Sequence, residues 1–422
     1  MSALWDTAAA PAGEHPDAQA ARYRLAEILI LAATLFNFVL CFVNTTLFGV
    51  GANLVIAVEV GLIGLALALT WDRSGTQYVV LLLLGAYLIA VMALRASLDP
   101  QFGRDILIPI AFLFLGRYFG SVAAGDRLVL ILVIATLATC LFEWFALDTY
   151  LRYFDVIKYY VARGSVTGID TELVPGLYIS GTRADARTLL PFLGDHRASG
   201  LFLEPVSIGN FGAIAFAWIL LRDRGRPWLF LFKTLAVATV LVLGDARFGF
   251  FLCFATLAGY AAAPLLRPTM LFAAPFLIVL GLLAYAGLST KDVASIDNDF
   301  GGRLLFAGNL LWSLNPWQVF GLQTNDVAME DAGYAYIFVS MGLPGAAALW
   351  ALFAYSAVPD RDAWRFKVFV ALYIVFLLTI STSLFTIKTA ALLWFLLGTL
   401  NNPRREREAR LPAVGETFFE GG

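Results

Sequence analysis

The stretch 241–252, LVLGDARFGFFL, places an acid and an arginine between two long apolar runs. With its flanks it forms one hydrophobic region, 228–266, which is too long for a single membrane-crossing helix because about 20 apolar residues already cross a hydrocarbon core. Glycines stand on both sides of Asp245 and Arg247, as they do in many tight turns. We therefore predict two antiparallel transmembrane helices joined by a turn at the membrane surface.

The composition of the whole chain also indicates a membrane protein. Of its 422 residues, 60% are hydrophobic and only 14% are charged, whereas a soluble globular domain carries about a quarter charged residues. The formal net charge is −2 and there is no basic patch with interleaved aromatic residues, so no nucleic-acid binding is expected. The three cysteines and two histidines show no metal-ligand spacing, and neither a metal nor another cofactor is predicted.

The hydrophobic residues are concentrated in blocks that are long enough to cross a bilayer as helices. We predict an all-α, polytopic helical membrane protein with about twelve transmembrane helices. The predicted spans are 25–47, 49–70, 78–95, 104–121, 127–147, 198–221, 228–243, 248–266, 270–287, 333–355, 364–383 and 386–400.

Arginine and lysine residues indicate the orientation of these spans, because they are enriched in cytoplasmic connections. The strongest markers are the short connectors LRDRGRPW at 221–228 and PDRDAWRFK at 359–367. They predict that both termini are cytoplasmic and that two long loops, 148–197 and 288–332, lie on the outer face, where loops of this length are usually functional. The predicted organisation is a cytoplasmic segment 1–24, a single transmembrane domain 25–400 and a cytoplasmic tail 401–422.

Ionisable residues from separate parts of the chain are predicted to meet at the outer boundary of the membrane. Arg197, Arg247 and Arg303 are candidate ligands for a lipid diphosphate, because a guanidinium offers a fixed fork of donors to phosphate oxygens. Glu204 and Asp331 lie at the same predicted depth, and either is a candidate catalytic base. Each residue also has a simpler interpretation: arginines at helix ends reach lipid headgroups, Glu204 can cap a helix, and Asp331 can be an ordinary loop acid.

Further residues are predicted to support this site. Asp245 can hold Arg247 in place across the turn, or it can merely neutralise that arginine until substrate arrives. Trp312 and Tyr334 offer flat apolar faces of the kind on which sugars stack, although such side chains more often anchor a protein at the membrane interface. Gln323 belongs to the same outer loop as Trp312.

A site of this kind suits glycosyl transfer from a lipid diphosphate. Arginines can neutralise the diphosphate leaving group, a task that metal ions perform in other enzymes. A single carboxylate can accept the proton of the acceptor hydroxyl. The scheme needs no cofactor.

Four segments of the chain resemble the Wzy-type polysaccharide polymerases and the related O-antigen ligases. RASGLFLEPVSIGNFG (197–212) resembles an arginine followed by a Phe-x-Glu-Pro segment, and LGDARFGFF (243–251) resembles a Ser-Arg-x-Gly turn in which Asp-Ala replaces serine. GGRLLFAGNLLWSLNPWQVFGLQ (301–323) resembles an Arg, Trp, Pro and Gly-x-Gly run, with Gln323 in place of the last glycine. DAGYAYIFVSMGLPG (331–345) resembles a helix start of the Asn-x-Tyr-Leu type.

Within this family the chain is most similar to the exopolysaccharide polymerases of the xanthan type, the GumE group. The ligases have a histidine near the last motif, where this chain has Asp331, Ala332 and Gly333, and this departure favours a polymerase. The resemblance implies a GT-C-like glycosyltransferase that acts on undecaprenyl-diphosphate-linked oligosaccharide repeat units. It also implies the periplasmic face of the bacterial inner membrane as the place of action, with a flippase and a chain-length regulator of the same pathway as partners.

Two alternatives remain open. A ligase would transfer finished polymer to another acceptor, and a lipid-linked oligosaccharide flippase or transporter would line a path through the membrane with polar groups. Glu59, in the middle of the second predicted span, fits the transporter best, because an acid inside a membrane is functional by default. Glu59 can be protonated and hydrogen-bonded to a neighbouring helix, or it can belong to a proton path.

Overall fold

The computed structural model describes most of the chain as α-helix. The predicted N-terminal segment up to residue 15 and the predicted tail from residue 403 lie outside the described residues, as do parts of both predicted outer loops. The structure describes residues 16–73, 75–166, 176–183, 187–289, 300–325, 327, 329 and 331–402. Within these ranges, strand pairing is limited to one isolated bridge between Thr182 and His196.

Sixteen α-helices follow one another along the described chain. Their bounds are α1 Pro16–Thr46, α2 Ala52–Thr70, α3 Gly75–Leu94, α4 Pro100–Phe119, α5 Val122–Phe145, α6 Leu147–Tyr153, α7 Val156–Ala162, α8 Pro205–Asp223, α9 Pro227–Leu243, α10 Arg247–Ala262, α11 Pro268–Leu288, α12 Phe300–Ser313, α13 Pro316–Val319, α14 Gly333–Tyr355, α15 Arg361–Leu377 and α16 Ile387–Leu400.

Seven of the described helices are long and apolar enough to cross a membrane, which supports a helical membrane protein. They are α1, α2, α3, α5, α8, α11 and α14. Three more, α9, α10 and α16, are apolar but shorter. Every predicted span overlaps a helix, but α4 and α15 contain several ionisable residues, so the number of twelve transmembrane helices stays a prediction.

The starts of helices α1 and α8 differ from the predicted starts of the corresponding spans. Helix α1 begins at Pro16, well before the predicted start of the first span at residue 25. The sixth span is predicted from residue 198, with Pro205 as the alternative start of its helix, and α8 begins at Pro205, directly after Glu204. Proline favours the first position of a helix because it has no N–H to leave unpaired there. The predicted turn between α9 and α10 is present at 244–246.

The predicted outer loops contain short helices of their own. The first carries α6 and α7 directly after α5, and the second carries α12 and α13 before α14. Helix α8 lies at the centre of the bundle, where it packs on α5, α9, α10, α15 and α16 and is buried along almost its whole length. The start of α8 is therefore fixed by contacts with several other helices.

Helices α4 and α16 form the closest helix pair, and glycines allow their backbones to touch. A Cβ atom added to Gly116 would lie 2.1 Å from the carbonyl oxygen of Phe395, and one added to Gly398 would lie 2.2 Å from that of Leu113. Small residues serve the same purpose at many helix contacts in membranes. The close approach of the two helices brings charged side chains of both α4 and α16 to the walls of one cavity.

Helix α14 is interrupted at Gly342, whose φ of 74° and ψ of 153° are not helical. Pro344 follows and cannot donate a backbone hydrogen bond, so carbonyl groups before the break need other partners. Helix α3 and the turn after it supply them: Arg95 Nη1 donates to the carbonyl of Val339 at 2.9 Å, and the Tyr87 hydroxyl donates to the carbonyl just before the break at 2.7 Å.

We predict that Gly398→Ala destabilises the protein by about 1–3 kcal/mol, because the added methyl group forces α4 and α16 apart. The midpoint of thermal unfolding in detergent should fall by several degrees. Gly64→Ala in α2 is the matched control, since a Cβ there meets nothing within 4 Å. An equal midpoint for both variants would mean that the backbone contact is not needed for stability.

Candidate functional site

A polar cavity of about 150 Å³ lies where several helices begin. Its walls come from α1, α2, the start of α4, the segment after α7, the residue before α8, and the approach to α16. The lining residues are Phe36, Asn37, Glu59, Gln101, Arg104, Asp105, Arg163, Glu204, Thr382, Phe385, Thr386, Ile387 and Lys388.

Glu204 is a carboxylate of this cavity with three polar side-chain partners. Its Oε2 atom lies 2.8 Å from Nζ of Lys388 and accepts a hydrogen bond of 2.9 Å from the Ser207 hydroxyl. Its Oε1 atom accepts a hydrogen bond from the Tyr160 hydroxyl. The side chain remains 21% exposed toward the cavity, so this predicted catalytic residue is both held in place and accessible.

The surroundings of Glu204 also determine its protonation. Burial by itself would raise the pKa of Glu204, but the positive charge of Lys388 and hydrogen bonds from Lys388 and Tyr160 hold the pKa below its ordinary value of 4.5. Burial, together with the nearby negative charge of Glu204, raises the pKa of Tyr160 well above its ordinary value. At neutral pH the pair is therefore a carboxylate and a neutral phenol that donates to it.

Lys388 lies at the start of α16 and is almost fully buried, with 2% of its side chain exposed. Besides Glu204, its ammonium group donates to the carbonyl of Phe202 at 3.0 Å and lies 3.3 Å from the Tyr160 hydroxyl. A buried ammonium group is tolerated only when it is paired and hydrogen-bonded. The contacts of Lys388 meet that condition and join the start of α16 to the start of α8.

Arg163 lies just after α7 and lines the cavity, and its direct contacts are with neutral side chains. Its Nη1 atom donates to Oδ1 of Asn37 at 3.2 Å, and its guanidinium lies over the ring of Tyr160, 4.9 Å from the ring centre. The hydroxyl of Tyr159 donates to the same Asn37 oxygen at 2.6 Å. Among the residues that the structure describes, no carboxylate lies within ion-pair distance of Arg163.

Arg104 also lines the cavity and makes direct contacts with two acids. It lies 3.1 Å from Glu59 and 2.7 Å from Asp105. The Tyr336 hydroxyl of α14 donates to the other oxygen of Asp105 at 2.9 Å. Glu59 thus has an ion-pair partner, and it lies about 10 Å along α2 from the first residue of that helix, at 1.5 Å per residue.

Arg197, a predicted diphosphate ligand, is engaged elsewhere. It is buried, and it donates to the carbonyls of Gly244 at 3.1 Å and Ser180 at 2.9 Å. Arg187 makes similar bonds to the carbonyls of Val242 and Leu243. Cations at the last carbonyls of a helix stabilise its end, so these contacts give Arg197 a structural role at the end of α9, away from the cavity lining.

Asp245 also has a structural position. It is fully buried in the turn between α9 and α10, with a left-handed φ of 45°. Its carboxylate lies 3.0 Å from Nε of Arg183 and accepts a 2.8 Å hydrogen bond from the backbone N–H of Leu189. Asp245 therefore fastens the first outer loop onto this turn.

Arg247 and Arg303 lie in the first turns of α10 and α12, which the structure brings together. The rings of Phe248 and Phe300 stack with centres 6.4 Å apart. Arg303 forms an ion pair with Asp331 at 3.5 Å, and the two side chains are 34% and 53% exposed. Two of the predicted site residues are thus partners, but none of the three lines the cavity.

The predicted supporting residues are spread over three places. Trp312 is 62% exposed and donates to the carbonyl of Leu283 at 2.8 Å. Gln323 accepts a 3.0 Å hydrogen bond from the Asn315 side chain. Tyr334 is buried, and its hydroxyl donates to the carbonyl of Val375 at 2.9 Å, so it ties α14 to α15 and offers no free face to a sugar.

Sequence reasoning identified Glu204 but missed most of its neighbours. Lys388, Arg104, Arg163 and Tyr160 are the neighbours that the sequence analysis did not assign to the site. A usable signal existed for Lys388, because a lysine at the start of an apolar run must find a partner or a function. No comparable signal exists for Arg163, whose importance depends on folding of the first outer loop against α1.

No family model matches the chain, and searches of curated proteins and of solved structures also found no match. Within the described ranges, no group of three or more His, Cys, Asp or Glu side chains is arranged to hold a metal ion. The chemistry of the cavity itself is therefore the basis for a functional assignment.

We predict that Asp245→Ala loosens the first outer loop, because it leaves a buried N–H and an arginine without their acceptor, at a cost of about 1–3 kcal/mol. Limited proteolysis should cut within 176–197 several times faster than in the wild-type protein. Asp148→Ala on α6, an exposed acid, is the control. Unchanged cleavage in the Asp245 variant would show that the loop is held by other contacts.

Proposed function

We propose that the protein is a glycosyltransferase that polymerises undecaprenyl-diphosphate-linked oligosaccharide repeat units into exopolysaccharide. The observation that carries the proposal is the presence of an ionised carboxylate, Glu204, and an arginine with only neutral partners, Arg163, on the walls of one polar cavity. A base and a cation for the leaving group are the two groups that transfer from a lipid diphosphate requires.

The position of the cavity agrees with the proposed topology. Lys388 lies in the first turn of α16, and Arg104 and Asp105 lie in the second turn of α4. Glu59 lies in the third turn of α2, and Glu204 directly precedes α8. These helix starts lie at the end of the bundle where both long loops are predicted. Acting on the periplasmic face of the bacterial inner membrane, the protein would receive substrate from a flippase and work with a chain-length regulator of the same pathway.

The proposed reaction uses few groups. The acceptor hydroxyl oxygen forms a bond to C1 of the donor sugar while Glu204 takes the hydroxyl proton. The bond from C1 to the diphosphate oxygen breaks, and the lipid diphosphate leaves with the electron pair, its charge offset by Arg163. A carboxylate has about four lone-pair sites, and Lys388, Ser207 and Tyr160 occupy three of them, so one remains for the proton.

Arg247 and Arg303 remain part of the proposal as a second group, although Asp331 already offsets part of the charge of Arg303. A polymerase binds two lipid diphosphates, the growing chain and the incoming unit. The first turns of α10 and α12 offer arginines for the second of these, at a place reached from the lipid surface. Glu204 is preferred over Asp331 as the base because it is oriented by three partners and faces the cavity.

A ligase and a flippase are the alternatives to be tested. The ion pair of Glu59 with Arg104 makes a transporter less attractive, because it assigns the acid of α2 to the same cavity instead of to a separate path. Reconstitution with donor and acceptor on one membrane face, and without any gradient, should yield polymer. Loss of a polymerase leaves single repeat units in cells, whereas loss of a ligase leaves long unattached chains.

We predict that Glu204→Gln lowers polymer formation about 10²–10⁴-fold, the usual contribution of a general base, while the protein still folds. Polymer length is read from gels of cell extracts, and folding from thermal unfolding of the purified variant. Asp331→Asn is the matched comparison and should keep most of the activity. The reverse result, loss with Asp331→Asn and retention with Glu204→Gln, would move the base to the outer loop.

We predict that Lys388→Met shifts the pH dependence of the reaction. A base works when deprotonated, so activity falls as pH drops through its pKa; removing the Lys388 charge raises the pKa of Glu204 and moves this fall to higher pH. The ratio of the rates at about pH 7 and about pH 5 should therefore rise in the variant. A uniform loss at every pH would instead indicate that Lys388 only supports the fold.

A further inference from the structure

The two arginines of the cavity differ in how far their charge is already compensated. Arg104 lies between Glu59 and Asp105, at 3.1 and 2.7 Å. Arg163 has the amide of Asn37 and two aromatic rings beside it. Of the other charges, Glu204 is paired with Lys388. Arg104 therefore shares its charge with two acids in direct contact, whereas Arg163 makes no direct ion pair and feels Glu204 and Glu59 only at longer range.

This difference determines where an anion can bind. A phosphate placed against Arg163 gains a charge-assisted, two-point contact without displacing a carboxylate in direct contact. A phosphate placed against Arg104 would approach Glu59 and Asp105, and like charges at such distances repel strongly in a partly buried site. The diphosphate should therefore lie on the Arg163 side of the cavity.

The Arg104 side has the properties of a site for hydroxyl groups. Glu59 and Asp105 offer fixed acceptors, and Arg104 offers donors that hold both acids in place. Gln101 and Thr382 add groups that can donate and accept. The rings of Phe36 and Phe385 provide apolar surface in the same cavity, as the faces of a sugar ring require.

We propose that Glu59, Arg104, Asp105 and Gln101 form a subsite for a neutral sugar ring, separate from the diphosphate subsite at Arg163. This inference rests on the proposed function and adds a substrate class to it. The sugar that occupies this side during transfer is neutral, because the carboxylate of a uronic acid would lie beside two acids that share one arginine. Glu59 and Asp105 are then specificity residues, and they take no part in the proton transfer.

Binding to the purified full-length protein in detergent tests the division into subsites. The first probe is farnesyl diphosphate, which has a lipid diphosphate but no sugar. Arg163→Ala should weaken its binding at least tenfold, and Arg163→Lys should do so less. Glu59→Gln should leave binding unchanged or tighter, because it removes a negative charge. Arg152→Ala on α6, an exposed arginine outside the cavity, is the control.

The second probe pair is farnesyl diphosphate carrying either glucose or glucuronic acid. The wild-type protein should prefer the neutral sugar at least tenfold, and Glu59→Gln should reduce this preference several-fold by improving binding of the acidic sugar. Thermal unfolding without ligand identifies any variant that fails to fold. If Glu59→Gln fails to fold, Asp105→Asn tests the same proposed sugar subsite.

The outcomes separate this inference from the proposed function. If the wild-type protein does not bind farnesyl diphosphate, the use of a lipid diphosphate is wrong and both proposals fail. If it binds, but Glu59→Gln weakens binding as much as Arg163→Ala, the proposed function stands and the separate sugar subsite is overturned. Equal binding of the neutral and the acidic sugar would also overturn the subsite.

Discussion

The ion pair between Glu204 and Lys388 is the interaction on which the site depends. It joins the residue before α8 to the first turn of α16, with 2.8 Å between the charged atoms. A buried ion pair recovers its loss of hydration only with good geometry and further hydrogen bonds. Tyr160, Ser207 and the Phe202 carbonyl supply them, so the start of α8, the start of α16 and the first outer loop must fold together.

The packing of the helices positions the charged residues that must meet in the cavity. The glycine contact between α4 and α16 sets the distance between the helices that carry Arg104 and Lys388. The contacts of Arg197, Arg187 and Asp245 fix the first outer loop on the end of α9. The charges of the cavity are thus positioned by apolar helices on one side and by a loop with its own anchor points on the other.

Much of the fold follows from the sequence, and much less of the site does. Apolar block length predicts helices, and Pro205 predicts where α8 begins, because both depend on local properties of the chain. The function of an arginine depends on its neighbours in space: Arg197 and Arg303 look alike in sequence, yet one caps a helix and the other pairs with an exposed acid. Arg163 gains its place only when α7 packs on α1, which no local pattern encodes.

The interruption of α14 at Gly342 has a consequence for how the site responds to the membrane. A continuous helix transmits a change of tilt along its whole length, whereas an interrupted one transmits it only as far as the interruption. The part of α14 before the break has its own contacts, from Tyr334 to α15 and from Tyr336 to Asp105 of α4. A change of tilt in the part of α14 after Gly342 is therefore taken up at the break and does not need to displace Asp105 in the cavity.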